Sequence, residues 1–189
     1  MLAISLSVSL LTDNQSVKLP LFCLVSITIL LLPRYLTAKN MCAGLSFDID
    51  IINPDELDHF FLPAEYDKHR RGDRVEVFFW DRKPFLPVEE DDGVHLYSWG
   101  NREKDVKMPK TGWAKLESIQ DGRWDWLAPK IVKIPSLSGC EKKKWFKTPA
   151  GIKGLKVRYH NIIRVYLITQ KANQNFQTKI GHDRMPISH

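Results

Sequence analysis

Apolar and polar positions change rhythm several times along this chain, and each change predicts an element. In LSFDIDI, Leu45, Phe47, Ile49 and Ile51 alternate strictly with polar neighbours, the period of a half-buried strand. NPDELDHFF follows, with Asn53 placed as N-cap, Pro54 at the first helical position and acids in the first turn, which predicts a helix. EYDKHRRGDR reads as a charged, solvated link whose RGD is a loop. Short β-type runs then dominate: VEVFFW, VHLYSW, KIVKIP, KKWF, GLKVRY and IIRVYLIT. RKP, EEDDG, LAP, TPAGIKG and HN separate them as turns or loops. KANQNFQTKI, between Thr169 and Gly181, predicts a second helix. Many short strands, two or three helices and no βαβ alternation predict an α+β domain around one curved, largely antiparallel sheet.

The first forty residues follow none of these rhythms. LPLFCLVSITILLLP, residues 19–33, is uncharged between Lys18 and Arg34. At fifteen residues it is short against the roughly 20 that a membrane-spanning helix needs. It has signal-peptide dimensions, yet no basic region precedes Lys18 and no clean small-residue cleavage site follows. Residues 1–40 are therefore expected to be a hydrophobic leader or an upstream extension, and residues 41–189 the domain. A membrane association through residues 19–33 is the alternative to a cytoplasmic, nucleoid-associated protein.

Charge changes this picture little. Residues 1–40 hold Lys18, Arg34 and Lys39 against Asp13; removing them from 28 basic and 22 acidic residues leaves 25 and 21. Mild basicity permits a nucleic-acid partner without demanding one. Cys23, Cys42 and Cys140 are too sparse for a disulfide scaffold. The six His are scattered and none has zinc-ligand spacing, so no metal and no cofactor are expected.

Candidate chemistry sits in three places: Met41-Cys42, IPSLSGCEKKKW and GHDRMP. In this order, with FLPV at 85–88, Trp99-Gly100, and LITQKAN leading to HDRMP at 182–186, they resemble the SOS-response-associated peptidase family, the abasic-site processing proteins. The resemblance covers residues 41–189 and none of 1–40. The family's Asn-Ala-Arg-x-Glu stretch falls on WAKLE: Ala114 and Glu117 match, Lys115 stands for Arg, and Trp113 for Asn. Lys115 keeps a positive charge without the bidentate fork. Glu141 lies six residues after Pro135, the family's Pro-to-Glu spacing, although Lys142 follows it where the family has Trp. NRE at 101–103 lies too close to Trp99-Gly100 to replace the lost motif.

The resemblance implies a barrel-like sheet and a covalent bond to abasic sites in single-stranded DNA, made by a monomer without metal or cofactor. An N-terminal Cys42 offers an α-amine and a β-thiol on adjacent carbons. The amine condenses with the ring-opened sugar aldehyde to an imine, and the thiol closes a thiazolidine, aided by proximity. A free α-amine of pKa about 7.7–8.0 is partly neutral near pH 7; a peptide-bonded Cys42 has none. Met41 is thus expected to be the functional start, with Met removal exposing Cys42. Glu141 and His182 are the implied proton-transfer pair. Lys115, Thr169 and Arg184 are implied to hold the DNA backbone, and Trp99 or Trp113 to stack on a base. Blander readings stand beside these: a strand-end thiol for Cys42, a surface pair with Lys142 or Lys144 for Glu141, and core packing for either Trp. The same residues also suit a thiol peptidase with Cys42 as nucleophile and His182 as base. An inactive or membrane-held single-strand-binding homologue is the third alternative.

Overall fold

The computed structural model describes residues 44–60 and 67–189, apart from the side chains of Asp58 and His59. The hydrophobic run at 19–33, Met41 and Cys42 lie outside the described residues. Among the described residues, no helix is long and apolar enough to cross a membrane.

The architecture is α+β and mostly antiparallel, but its strands form two sheets where the sequence pattern predicts one. The first sheet contains β1 (Gly44–Asp48), β2 (Arg70–Arg71), β3 (Arg74–Phe78), β8 (Ser138–Glu141) and β9 (Lys144–Lys147), in the order β2-β3-β1-β8-β9. The second contains β4 (Phe85–Glu90), β5 (Gly93–Ser98), β7 (Lys130–Ile134), β10 (Ile152–Tyr159), β11 (Ile162–Lys171) and β12 (Arg184–Pro186), ordered β12-β11-β10-β7-β4-β5. A short β6 (Trp113–Lys115) joins it by pairing parallel with β11. Beyond β5 the second sheet curls back on itself: Trp99 bridges Val165, and the Gly100 amide donates to the Val165 carbonyl at 2.8 Å. One bridge is not a ladder, so the sheet is curved and does not close into a barrel.

Burial explains the two layers. Leu45, Phe47, Val75 and Val77 of the first sheet meet Phe85, Leu86, Val88, Trp99, Ile134, Val165 and Leu167 in one core. Along β11 the alternate residues Tyr166 and Ile168 turn the other way, into a second cluster with Trp124, Leu127, Leu155 and Val157. That is why IIRVYLIT reads as a nearly continuous apolar run: β11 is buried on both faces.

Helix α1 (Pro54–Phe60) starts where the capping signal places it, with the Asn53 side chain accepting from the Asp55 amide at 3.0 Å. Three boundaries differ from expectation. β1 stops at Asp48, because the Asp48 carboxylate takes the Asp50 amide (3.0 Å) and turns the chain; Ile49 and Ile51 pack from that turn. β3 stops at Phe78, whose amide goes to the Asp81 carboxylate at 2.6 Å. The expected helix over 171–180 begins only at Gln174, since Lys171 completes β11 and Asn173 caps through the Phe176 amide at 2.8 Å. Helix α2 (Leu116–Gln120), directly after β6, carries no strong pattern in the sequence. The last helix is α3 (Gln174–Ile180), ended by Gly181 at φ 81°.

Candidate functional site

Glu141 ends β8, and its burial sets its chemistry. The residue is 1% exposed, and its Oε2 has no hydrogen-bond partner among the described residues. Burial in that setting pushes the carboxyl up to about 7, against an ordinary 4.5, with Lys142 opposing only in part. β8 and β9 are joined by a two-residue loop, because Glu141 pairs with Lys144. The loop residues Lys142 and Lys143 sit at φ 49° and 65°. Two consecutive positive values are the type I′ hairpin geometry, which normally selects Asn-Gly.

The lysines at this strained tip hold the end of α3. Lys142 donates through Nζ to the Gly181 carbonyl, and Lys144 to the Lys179 carbonyl at 2.9 Å. These are carbonyls that a helix C-terminus leaves without partners inside the helix, so a cation there is favourable. His182 follows at once. It is 3% exposed, and the Arg184 amide donates to its Nδ1 at 2.9 Å. The Arg184 carbonyl lies 3.1 Å from the same nitrogen, so the Arg184 backbone holds the ring in place. A cavity of about 290 Å³, lined by Lys142, Gln177, Gly181, His182 and Asp183, opens here.

A second knot of side chains lies around Arg184. Its guanidinium makes a bidentate pair with Glu117, both bonds 2.8 Å, and donates to the Thr169 carbonyl at 2.6 Å. Arg184 holds the Glu117 carboxyl down at about 2. Lys115 stands opposite Thr169 across the β6–β11 ladder, and is exposed while Thr169 is 1% exposed. Three widely separated motifs, WAKLE, LIT and HDRMP, therefore converge. Glu117 was matched in sequence without a role; its role here is to occupy Arg184.

The tryptophans divide differently from expectation. Trp99 is 1% exposed, its indole N–H donates to the Gly112 carbonyl at 2.9 Å, and its ring sits edge-on to Phe79 and Trp113. It has no ring face open to a base, which corrects the stacking role expected for it. Trp113 is half-buried against Phe79, 4.8 Å between ring centres.

The exposed tryptophans among the described residues are Trp80, Trp126 and Trp145, and two of them, Trp80 and Trp145, flank Phe78. Phe78, Gly44, Cys140 and Trp145 form one row across β3, β1, β8 and β9, so their side chains share a face. Gly44 lacks the Cβ that would sit 2.5 Å from the Phe78 ring, and Phe78 lies over it. Trp80 stacks on Phe78 at 4.9 Å, and Trp145 meets its edge at 6.1 Å. The sequence offers no signal for this platform beyond its aromatic letters, since a glycine and a cysteine on the intervening strands create the space.

Cys42 lies outside the described residues. Gly44, two residues further along, pairs with Cys140, the neighbour of Glu141. Among the described residues, no three His, Cys, Asp or Glu side chains gather as a metal-ligand set. No protein-family model, no curated protein and no solved structure matches this chain.

Proposed function

We propose that this protein, with Cys42 as its N-terminal residue, traps abasic sites in single-stranded DNA as a thiazolidine. The observation that carries the reading is Glu141. A buried carboxyl that titrates near 7 and keeps an oxygen without a partner among the described residues is poised to give and take a proton at neutral pH. It stands on the strand that pairs with the start of β1, and the chain from Gly44 back to Cys42 spans at most about 7 Å.

The α-amine attacks the sugar aldehyde, and protonated Glu141 hands its proton to the departing hydroxyl, so that one water leaves as the imine forms. The Cys42 thiol then adds across the C=N bond, its proton passing to nitrogen, and closes the ring. His182, held through Nδ1 by the Arg184 backbone, moves the sugar hydroxyl proton when the furanose opens. Lys115 takes a backbone phosphate, while Arg184 stays paired with Glu117 unless that carboxylate is displaced. Trp145, Trp80 and Phe78 offer the stacking face that Trp99 lacks. The curved second sheet suits the barrel-like fold implied by the resemblance, with a single bridge where a barrel would carry a ladder.

Intact-mass spectrometry of protein beginning at Cys42, mixed with an abasic single-stranded oligonucleotide, tests this. The expected product weighs protein plus oligonucleotide minus one water, is absent in Cys42→Ala, and forms at least about 100-fold more slowly in Glu141→Gln, within the range for loss of a general acid. An adduct that survives Cys42→Ala overturns the mechanism.

A further inference from the structure

Another cavity lies elsewhere and is strongly cationic. It has about 470 Å³, within the range of small-molecule sites, and among the described residues it is lined by Arg82, Lys83, Arg102 and Arg164 against one acid, Glu103. Pro84 and Phe60 supply an apolar wall.

Its walls are pre-formed. Asn101, 2% exposed, staples the loop after β5: its Nδ2 donates to the carbonyls of Val106 (3.2 Å) and Met108 (3.0 Å), and its Oδ1 accepts from the Glu103 amide (2.9 Å). Arg102 is held by the carbonyls of Asp81 and Arg82 and lies 5.6 Å from the centre of the Phe79 ring. The Arg164 side chain is 14% exposed, and its Nε is buried with no hydrogen-bond partner among the described residues. Its only ion-pair partner among the described residues is the 59%-exposed carboxylate of Glu103. A half-buried guanidinium neutralised by one solvent-facing carboxylate, inside a pocket with three further cations, is arranged for an anion from outside.

We propose that this cavity binds a phosphate monoester, its phosphoryl group taken by Arg102 and Arg164 and its organic part resting on Phe60 and Pro84. The carboxylate of Glu103 holds the Arg164 guanidinium until the ligand displaces it. The site is independent of the abasic-site reading: Arg164 faces the side of β11 opposite to Thr169, because they are five residues apart on a strand.

Isothermal titration of the full chain with inorganic phosphate, adenosine monophosphate, and a single strand with and without a 5′-phosphate tests the proposal. Saturable binding of phosphate and tighter binding of at least one monoester are expected. Arg102→Ala and Arg164→Gln should each weaken it at least 10-fold, whereas Glu103→Gln should tighten it several-fold by removing the competing carboxylate. The last variant separates an anion site from a structural ion pair, since merely losing a salt bridge cannot raise affinity. Preference for the nucleotide identifies a small-molecule site, and preference for the 5′-phosphorylated strand a DNA-end site; both support it. Absence of saturable binding with every probe, or affinities unmoved by all three variants, overturns it. Cross-linking through Cys42 is read separately by mass, so either idea fails alone.

Discussion

At the scale of single residues, Glu141 carries opposing demands. Its folded pKa of about 7 lies above the ordinary 4.5, so between these values the folded state holds a proton that the unfolded chain has released. Stability therefore falls as pH rises through that window, by about 3 kcal/mol when complete. Glu141→Gln should melt higher than wild type at pH 8 and at the same temperature near pH 4.5, while its cross-linking slows at least about 100-fold. Paired melting curves check this, and equal melting temperatures at pH 8 would show the carboxyl to be solvated. The rate of cross-linking should follow a bell near pH 7, limited by Glu141 on one side and the α-amine on the other. Glu117 makes a second test. It occupies both guanidinium nitrogens of Arg184, so Glu117→Gln should tighten single-strand binding several-fold and steepen its dependence on log salt concentration by roughly 1, as a freed cation meets a phosphate. Unchanged binding and slope would remove Arg184 from the DNA interface. Glu141 was singled out through the family resemblance, by its spacing from Pro135, and the structure buries it at the end of β8. The sequence could not separate buried Trp99 from exposed Trp145, because their burial depends on distant strands that only the folded topology brings alongside.

At the scale of elements, the β8–β9 hairpin shows where local pattern and local conformation part. The start of α1 was legible because Asn53, Pro54 and the following acids act within one turn. The turn at Lys142–Lys143 was illegible because its residues contradict it. Lysine pays a steric cost in the left-handed region, where glycine pays none. The compensation is long-range: Lys142 reaches the end of α3, 39 residues away, and that contact cannot be read from neighbouring letters. The two lysines should therefore respond in opposite ways. Lys143→Gly relieves φ 65° and leaves the tie intact, so it should stabilise by about 1 kcal/mol, raising the melting temperature by about 2–4 °C. Lys142→Gly relieves similar strain and cuts the tie to Gly181, so it should gain less stability and slow cross-linking by loosening the segment that carries His182. If both glycine variants cross-link at the wild-type rate, the hairpin does not position the site.

At the scale of the whole molecule, these groups combine into one pH profile. His95 joins α1 to the β4–β5 hairpin, with Nε2 on Asp92 at 2.9 Å and Nδ1 on Glu56 at 2.7 Å. The Asp92 and then the Glu56 carboxylate raise its pKa. A raised histidine contributes fully below its unfolded value of about 6.5 and ceases to contribute as pH climbs through its folded value. Glu141 works in the same direction over 4.5 to 7. Glu117 works in the other, since a carboxyl lowered to about 2 stabilises above 4.5 and is lost as pH falls. The net charge of +6 opposes the first two, because repulsion eases as pH approaches the isoelectric point near 9.2. That repulsion is spread over a solvated surface and screened by salt, whereas Glu141 acts from a site 1% exposed, so the local groups should prevail. The melting temperature is therefore expected to peak between about pH 4.5 and 6.5, and the double variant His95→Gln, Glu141→Gln should flatten the alkaline limb. A wild-type melting temperature that climbs from pH 6 to 8 in 0.15 M salt would mean that global charge outweighs the buried carboxyl. The site's proton donor would then have to be sought in His182 alone.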